Sequence, residues 1–190
     1  KFHELAQLGV EVHLVLPERW PEGGGVISAP ASGLERGVQL HVLPVVFSGR
    51  LTRFLLPGLG KLMKEIKPDL VHIEEEPFSV TCWHALRRAA QMNVPAVFFT
   101  WENILREYRT PLNWIDRFTR ERAAGAVAGN QEAKAVLEAR GFKRPVAVVP
   151  QYGVDVERFT PAARKADDAP SRPFTFGYIG RLLEAKGLAV

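Results

Sequence analysis

The segment Val94–Asn103, "VPAVFFTWEN", carries the clearest fold signal in the sequence. Its first six residues, Val94–Phe99, are continuously apolar, without the polar alternation of a strand that faces water. Such a run is typical of a strand buried on both faces of a parallel sheet. Polar side chains follow immediately, so they are expected at the carboxyl end of the strand, where open α/β sheets bind ligands.

On both sides of this strand, predicted strands alternate with predicted helices along the chain. The predicted strands are Val10–Leu16, Val38–Val46, Leu70–Ile73, Val94–Phe99, Ala124–Ala128 and Val146–Val149. One predicted helix ends at Gly9, and a second lies within residues 48–67. The other three cover Ser79–Gln91, 112–123 and Glu132–Arg140. This alternation predicts an α/β fold with a doubly wound parallel sheet. Residues 18–37, rich in Gly and Pro, are predicted to form a loop.

The composition is that of a globular protein, because 46% of the 190 residues are hydrophobic and 24% are charged. The single cysteine, Cys82, lies in an apolar-periodic stretch and is predicted to be a buried thiol. No apolar run approaches the roughly 20 residues that a membrane-spanning helix needs. The opening residues Lys1–Glu4 do not read as a signal peptide, so a cytoplasmic location is the expectation.

The charge pattern leaves two interpretations of residues 48–67 open. The net charge is +4, and basic residues interleave with apolar ones along this stretch. It predicts either a core-facing helix with a solvated basic side, or peripheral contact of residues 50–67 with an anionic inner membrane face. Nucleic acid is not an expected partner, since the cations are dispersed and no recognition motif is present.

A second domain is predicted to begin near the end of the chain. Residues 160–173, with three Pro and four Ala, read as a linker, and Phe174–Ile179 reads as a new strand. Arg181 and Lys186 follow this strand near a predicted helix start, an arrangement that favours a diphosphate ligand. The alternative is that both cations are simply solvated.

Five stretches of the sequence carry a family resemblance: "LAQLGVEVHLVLP", "KPDLVHIEEEP", the helix start Asn130–Ala133 after "AAGAVAG", "VVPQYGVDVERFTP" and "GYIGRLLEAKGL". Their order and spacing resemble the retaining glycosyltransferases of family 4, which have the GT-B architecture of two Rossmann-like domains facing a cleft. The resemblance implies transfer of a sugar from a nucleotide-diphosphate sugar to a glycan, lipid-linked or small-molecule acceptor. It implies no metal and no further cofactor, and the five histidines show no ligand spacing.

The resemblance also assigns roles at the donor side. Arg181 and Lys186, with Gly180 in the same element, match the residues that contact the donor diphosphate. Trp101 stands where many relatives have a histidine that touches the donor sugar, and Glu102 follows it. Trp101 is therefore predicted to stack on a sugar and Glu102 to accept a hydroxyl proton. An aromatic residue at the edge of the core is the alternative for Trp101.

The remaining cleft residues rest on the same resemblance. Glu76, before Pro77, matches an acidic cleft position, although a solvated acidic face is the alternative for Glu74–Glu76. Asn103 is predicted to line the cleft beside Trp101. Gly153 and Asp155 match the loop that lines the cleft near the domain crossover.

The resemblance implies an incomplete site. Residues 1–159 would be the acceptor-side domain without its first strand, and 174–190 would be only the first strand and helix start of the donor domain. The chain is therefore expected to be truncated at both ends and inactive in isolation. A sugar-nucleotide epimerase of the same architecture and a non-catalytic binding module are the alternatives.

Overall fold

The structure is a computed structural model that describes residues 1–22, 24–150, 152–160, 176–180 and 187. The chain divides into two compact units, Lys1–Gly153 and Val154–Val190, and each is described by itself. The predicted phosphate ligands Arg181 and Lys186 lie outside the described residues.

The first unit alternates strands and helices. In chain order its elements are α1 (Phe2–Gln7), β1 (Val12–Pro17), β2 (Arg19–Glu22), β3 (Gly25–Ser28), β4 (Gly33–Glu35), β5 (Val38–Leu43), α2 (Leu59–Ile66), β6 (Val71–Ile73), α3 (Val80–Gln91), β7 (Ala96–Thr100), α4 (Leu112–Arg122), β8 (Gly125–Ala128), α5 (Gln131–Ala139) and β9 (Val146–Val148). The six predicted strands and five predicted helices are all present, with shifted ends.

The main sheet has the strand order β6-β7-β8-β9, and all of its neighbouring strands are parallel. A helix follows each of β6, β7 and β8, as parallel pairing requires a crossover. In β7, Phe98 is 1% exposed and packs edge-to-face on Phe142. Cys82 and Leu86 of α3 join the same core, which confirms the predicted α/β fold and the buried thiol.

The helix ends follow sequence signals closely. The Ser79 hydroxyl accepts from the Cys82 N–H at the start of α3. The Asn130 side chain accepts from the Ala133 N–H, at 2.8 Å, at the start of α5. Both are N-cap bonds that satisfy backbone donors left free in the first turn. Because α5 begins directly after β8, its cap also places Gly129 at the carboxyl edge of the sheet.

A second sheet contains β1, β5 and β4. Strands β1 and β5 are parallel, and β4 pairs with β5 in the antiparallel direction. The prediction of a loop over residues 18–37 is wrong, because this stretch forms β4 and the hairpin of β2 and β3. Trp20 pairs with Ile27 across the hairpin and packs on Phe54. These contacts stabilise the hairpin in spite of its flexible, glycine-rich turn.

The helix predicted within residues 48–67 is confined to α2. Its apolar residues Leu59 and Met63 are 8% and 4% exposed, and they belong to the core. The basic residues Lys61 and Lys64 are exposed. Of the two interpretations of this stretch, α2 itself is therefore the core-facing helix with a solvated basic side.

The second unit is described at residues 154–160, 176–180 and 187. The predicted strand Phe174–Ile179 is wrong for its described part, because residues 176–179 lie in no strand. Phe176 and Ile179 are 90% and 102% exposed. A strand needs a hydrogen-bonded neighbour, and no strand occurs among the described residues of this unit to provide one. Across the described residues, no helix has the length and apolar character to cross a membrane.

Candidate functional site

The carboxyl ends of β6 and β7 meet at one edge of the main sheet, because Ile73 pairs with Phe98. Glu76, after β6, accepts hydrogen bonds from Thr100 Oγ1 at 2.5 Å and from the Trp101 N–H at 2.8 Å. Thr100 is only 1% exposed. The structure therefore brings together the sequence-predicted Glu76 and Trp101, through a buried threonine that sequence reasoning did not identify.

The indole of Trp101 lies against Gly129, the residue that follows β8. A Cβ atom added to Gly129 would be 2.6 Å from the indole ring, closer than any real contact. The Gly129 N–H donates to the Thr100 carbonyl at 3.0 Å, which holds the two backbones together. Since Trp101 is still 39% exposed, part of its ring remains open to solvent. Absence of a side chain at Gly129 is what allows this position of the ring.

Glu102 is engaged by its own loop. Its Oε2 accepts from the Tyr108 hydroxyl at 3.1 Å, and its Oε1 accepts from the Ile104 N–H at 3.4 Å. Its side chain is 16% exposed and also lies 3.7 Å from Arg106 Nε. These contacts shape the loop after β7, and the predicted role of Glu102 as a proton acceptor stays a prediction. The neighbouring Asn103 is exposed.

A buried polar cluster behind this loop was not predicted from the sequence. The Asp116 carboxylate, 1% exposed, accepts from Arg120 Nε at 3.0 Å and from Arg140 Nη1 at 3.3 Å. The Arg140 guanidinium also lies 4.2 Å from the centre of the Tyr108 ring and donates to the Arg106 carbonyl. This cluster therefore connects α4 and the end of α5 to the loop that carries Glu102. Only the i, i+4 spacing of Asp116 and Arg120 could have indicated it from sequence.

The acidic run Glu74–Glu76 is partly buried rather than a freely solvated face. Burial raises the pKa of Glu75 to about 7, and the neighbouring Glu76 and Glu74 charges add to the effect. Burial also raises the pKa of Glu76, although the bonds from Thr100 and Trp101 oppose the shift. The Lys1 ammonium pairs with Glu74. A carboxyl with a pKa near neutral can give or take a proton at physiological pH.

Replacing Glu75 is expected to change the pH dependence of stability. The raised pKa means that the folded chain binds more protons than the unfolded chain between about pH 4.5 and about pH 7. Stability from Glu75 is therefore present at low pH and is lost as the pH rises through 7. We expect Glu75→Gln to match the wild type at pH 4 and to be more stable by about 2 kcal/mol at pH 8. Urea unfolding at several pH values measures this.

The matched control is Glu107→Gln, which removes the charge of an exposed glutamate in the loop after β7. A constant difference between Glu75→Gln and the wild type from pH 4 to pH 8 would contradict the prediction.

The other predicted residues lie apart from this cluster in the chain. Gly153, at the end of the first unit, is exposed and has open space around it. In the second unit, Asp155 Oδ1 accepts from the N–H groups of Glu157 and Arg158, both at 3.0 Å, so this carboxylate stabilises a local turn. Gly180 is exposed. The predicted roles of these three residues stay predictions.

The parallel sheet with crossover helices is that of a Rossmann-like α/β domain, a class of domain in which ligands bind at the carboxyl edge of the sheet. The sequence model of Glycosyltransferase Family 4 matches residues 2–158, and the chain belongs to this family. Searches of curated proteins and of solved structures gave no significant match. Within the described part of the chain, no group of three or more His, Cys, Asp or Glu side chains is placed to hold a metal ion.

Proposed function

We propose that the protein transfers a sugar from a nucleotide-diphosphate sugar to an acceptor hydroxyl, with retention of anomeric configuration. Family membership supports a glycosyltransferase-type function in general. The observation that supports a sugar site is the Trp101 indole, which lies against Gly129 while the backbone N–H of Trp101 donates to Glu76. A fixed, partly exposed aromatic ring offers an apolar surface to the C–H face of a sugar.

Carboxyl groups that follow β6, at the same edge of the sheet, suit the hydroxyl groups of a sugar. Carboxylates accept hydrogen bonds from hydroxyl donors, and Glu75, with its pKa near 7, can also donate. In the transfer, the bond between the anomeric carbon and the diphosphate oxygen breaks, and the diphosphate leaves with the bonding electrons. The acceptor hydroxyl passes its proton to the carboxylate of Glu102, the predicted proton acceptor, as its oxygen bonds to that carbon. Arg181 and Lys186 are proposed to stabilise the charge that develops on the leaving diphosphate.

Titration calorimetry of the full-length protein with UDP, GDP and ADP sugars tests this proposal. We expect one of these sugar nucleotides to bind, and the anomeric configuration of the product, read by NMR, to match that of the donor. A full-length protein that binds none of the three would contradict the transferase proposal. Inversion at the anomeric carbon would contradict retention.

The role of Trp101 has its own test. We expect Trp101→Ala to raise the Kd of the sugar nucleotide about tenfold, the loss that corresponds to one aromatic contact. The Kd of the matching nucleoside diphosphate should not change, because the indole is proposed to contact the sugar alone. The matched control is Trp114→Ala, which removes a tryptophan of α4 that is 56% exposed. Equal losses for sugar nucleotide and free diphosphate would contradict the proposed contact.

A further inference from the structure

The hairpin of β2 and β3 and the loop over residues 46–53 form one continuous surface, which we call the hairpin–loop surface. The hairpin follows the carboxyl end of β1, and the loop follows the carboxyl end of β5. The Ser48 hydroxyl donates to the Arg19 carbonyl at 2.9 Å, and a Cβ added to Gly49 would lie 3.0 Å from the Pro21 ring. The two segments are therefore packed against each other. They lie outside the cluster around Glu76 and Trp101.

This surface exposes large apolar side chains from both segments. Val26 and Ile27 of β3 are 64% and 56% exposed, and Phe47 and Leu51 of the loop are 59% and 72% exposed. Val26 pairs with Pro21 across the hairpin, so it shares the face that packs on the loop. Ile27, the next residue along β3, lies on the opposite face of the hairpin, so the patch consists of Val26, Phe47 and Leu51. Single exposed apolar residues are ordinary, but three on two packed segments make a patch, and patches mark interaction sites.

Phe47 is exposed and has an uncommon backbone conformation. Its φ of 57° lies in the left-handed region, which a bulky residue rarely adopts. Backbone bonds between Val46 and Leu55 in both directions hold the strand-like base of the loop. Phe54, seven residues further on, packs in the core against Trp20 instead. The fold thus buries one phenylalanine of this stretch and presents the other to solvent in an uncommon conformation.

Cations accompany these apolar side chains. Arg50 and Arg53 are exposed and lie in the loop itself, whose residues 46–53 contain no acid. Arg19 is 63% exposed in β2 and lies 3.6 Å from Glu18, and Glu22 is the other acid of the hairpin. Exposed lysines of α2, such as Lys61, add positive charge further along the chain. Arginines interleaved with apolar side chains complement an interface of anionic headgroups above acyl chains.

We propose that the hairpin–loop surface docks on an anionic phospholipid bilayer, with Phe47 and Leu51 entering the interface and Arg50 and Arg53 facing the headgroups. The apolar face of α2 cannot enter the bilayer, because its residues Leu59 and Met63 are in the core. The membrane-contacting part of the 50–67 stretch is thus the loop rather than the helix. This proposal does not depend on the proposed sugar transfer, and its test needs no sugar nucleotide.

Sedimentation with vesicles tests the proposal. The 190-residue chain is expected to sediment with vesicles of mixed phosphatidylcholine and phosphatidylglycerol, and not with pure phosphatidylcholine. We expect the double variant Phe47→Ser/Leu51→Ser to bind the mixed vesicles about tenfold more weakly, because it removes apolar surface from the interface. The control is Leu34→Ser in β4, which removes a side chain that is 74% exposed outside the surface.

The contribution of the two arginines is tested with a separate double variant and a matched control. Arg50→Gln/Arg53→Gln is expected to weaken binding about tenfold at low salt and by less at high salt. The control is Lys143→Gln/Arg144→Gln, which removes two exposed charges between α5 and β9, at the amino end of β9. Circular dichroism of each variant confirms that it is folded before its binding is measured.

Three outcomes overturn the proposal. The first is no sedimentation with mixed vesicles, and the second is equal weakening by the two charge-removing pairs. The third is a wild-type dimer in solution that Phe47→Ser/Leu51→Ser dissociates, because the surface would then be an interface between copies of the chain.

Discussion

Asp116→Ala is expected to lower the free energy of unfolding by about 3–5 kcal/mol, the usual cost of removing one partner of a buried ion pair. Asp116 is 1% exposed, and its carboxylate accepts from both Arg120 and Arg140. The side chain of Arg140 is only 10% exposed, so without Asp116 its charge stays buried and loses its carboxylate partner. Urea unfolding followed by circular dichroism measures the loss.

Two further variants separate the causes. Glu121→Ala, on the same helix, removes a partner of Arg117 at 2.8 Å, but both side chains are more than half exposed. Such a surface pair is worth at most about 1 kcal/mol, so its loss is the matched control. Asp116→Asn keeps the shape and one acceptor oxygen while it removes the charge. Equal losses for Asp116→Ala and Glu121→Ala would show that burial of the cluster contributes nothing.

The Asp116 variant also has a local consequence. Arg140 lies over the Tyr108 ring and bonds the Arg106 carbonyl, and the Tyr108 hydroxyl donates to Glu102. Hydrogen exchange in the loop after β7 is therefore expected to rise in Asp116→Ala more than exchange in β9. The cluster links global stability to the position of a predicted site residue.

Sequence reasoning identified the elements whose signal is local. Continuous apolar residues predicted β7, the asparagine before α5 is its N-cap, and Gly141 ends that helix with a φ of 82°. The hairpin of β2 and β3 was missed because its stability comes from Trp20 packing on Phe54, residues that lie far apart in the sequence. Glycine-rich turns look alike whether or not a distant core residue anchors them.

The site was predictable only in part, for the same reason. Glu76 and Trp101 were predicted as site residues from the family resemblance, and the parallel register of β6 and β7 brings them together. The contribution of Gly129 depends on where the Trp101 ring lies, which no local pattern encodes. The contact of Asp116 with Arg140 joins α4 to the end of α5 and likewise has no sequence signature.

Glu76→Ala is expected to lower the free energy of unfolding by about 2–3 kcal/mol. Its carboxylate accepts from the Thr100 hydroxyl at 2.5 Å and from the Trp101 N–H at 2.8 Å. Thr100 is 1% exposed, so its hydroxyl cannot turn to water when the acceptor is removed. A buried donor that loses its acceptor costs about 1–3 kcal/mol, and bonds to charged groups lie at the upper end of that range.

The same substitution should release Trp101, and this effect separates a site role from simple destabilisation. We expect the backbone amide of Trp101 to exchange with solvent much faster in Glu76→Ala than in the wild type. The exchange rate of the Ala126 amide in β8 should change only as much as the global free energy of unfolding requires. Glu76→Gln keeps one acceptor oxygen and should fall between the alanine variant and the wild type, and Glu107→Ala is the control for an exposed glutamate. If Trp101 exchange followed global stability in every variant, the Glu76 bond would have no special part in fixing the ring. If it rises on its own, the carboxylate after β6 sets the position of the aromatic surface after β7, and sugar affinity should fall with it.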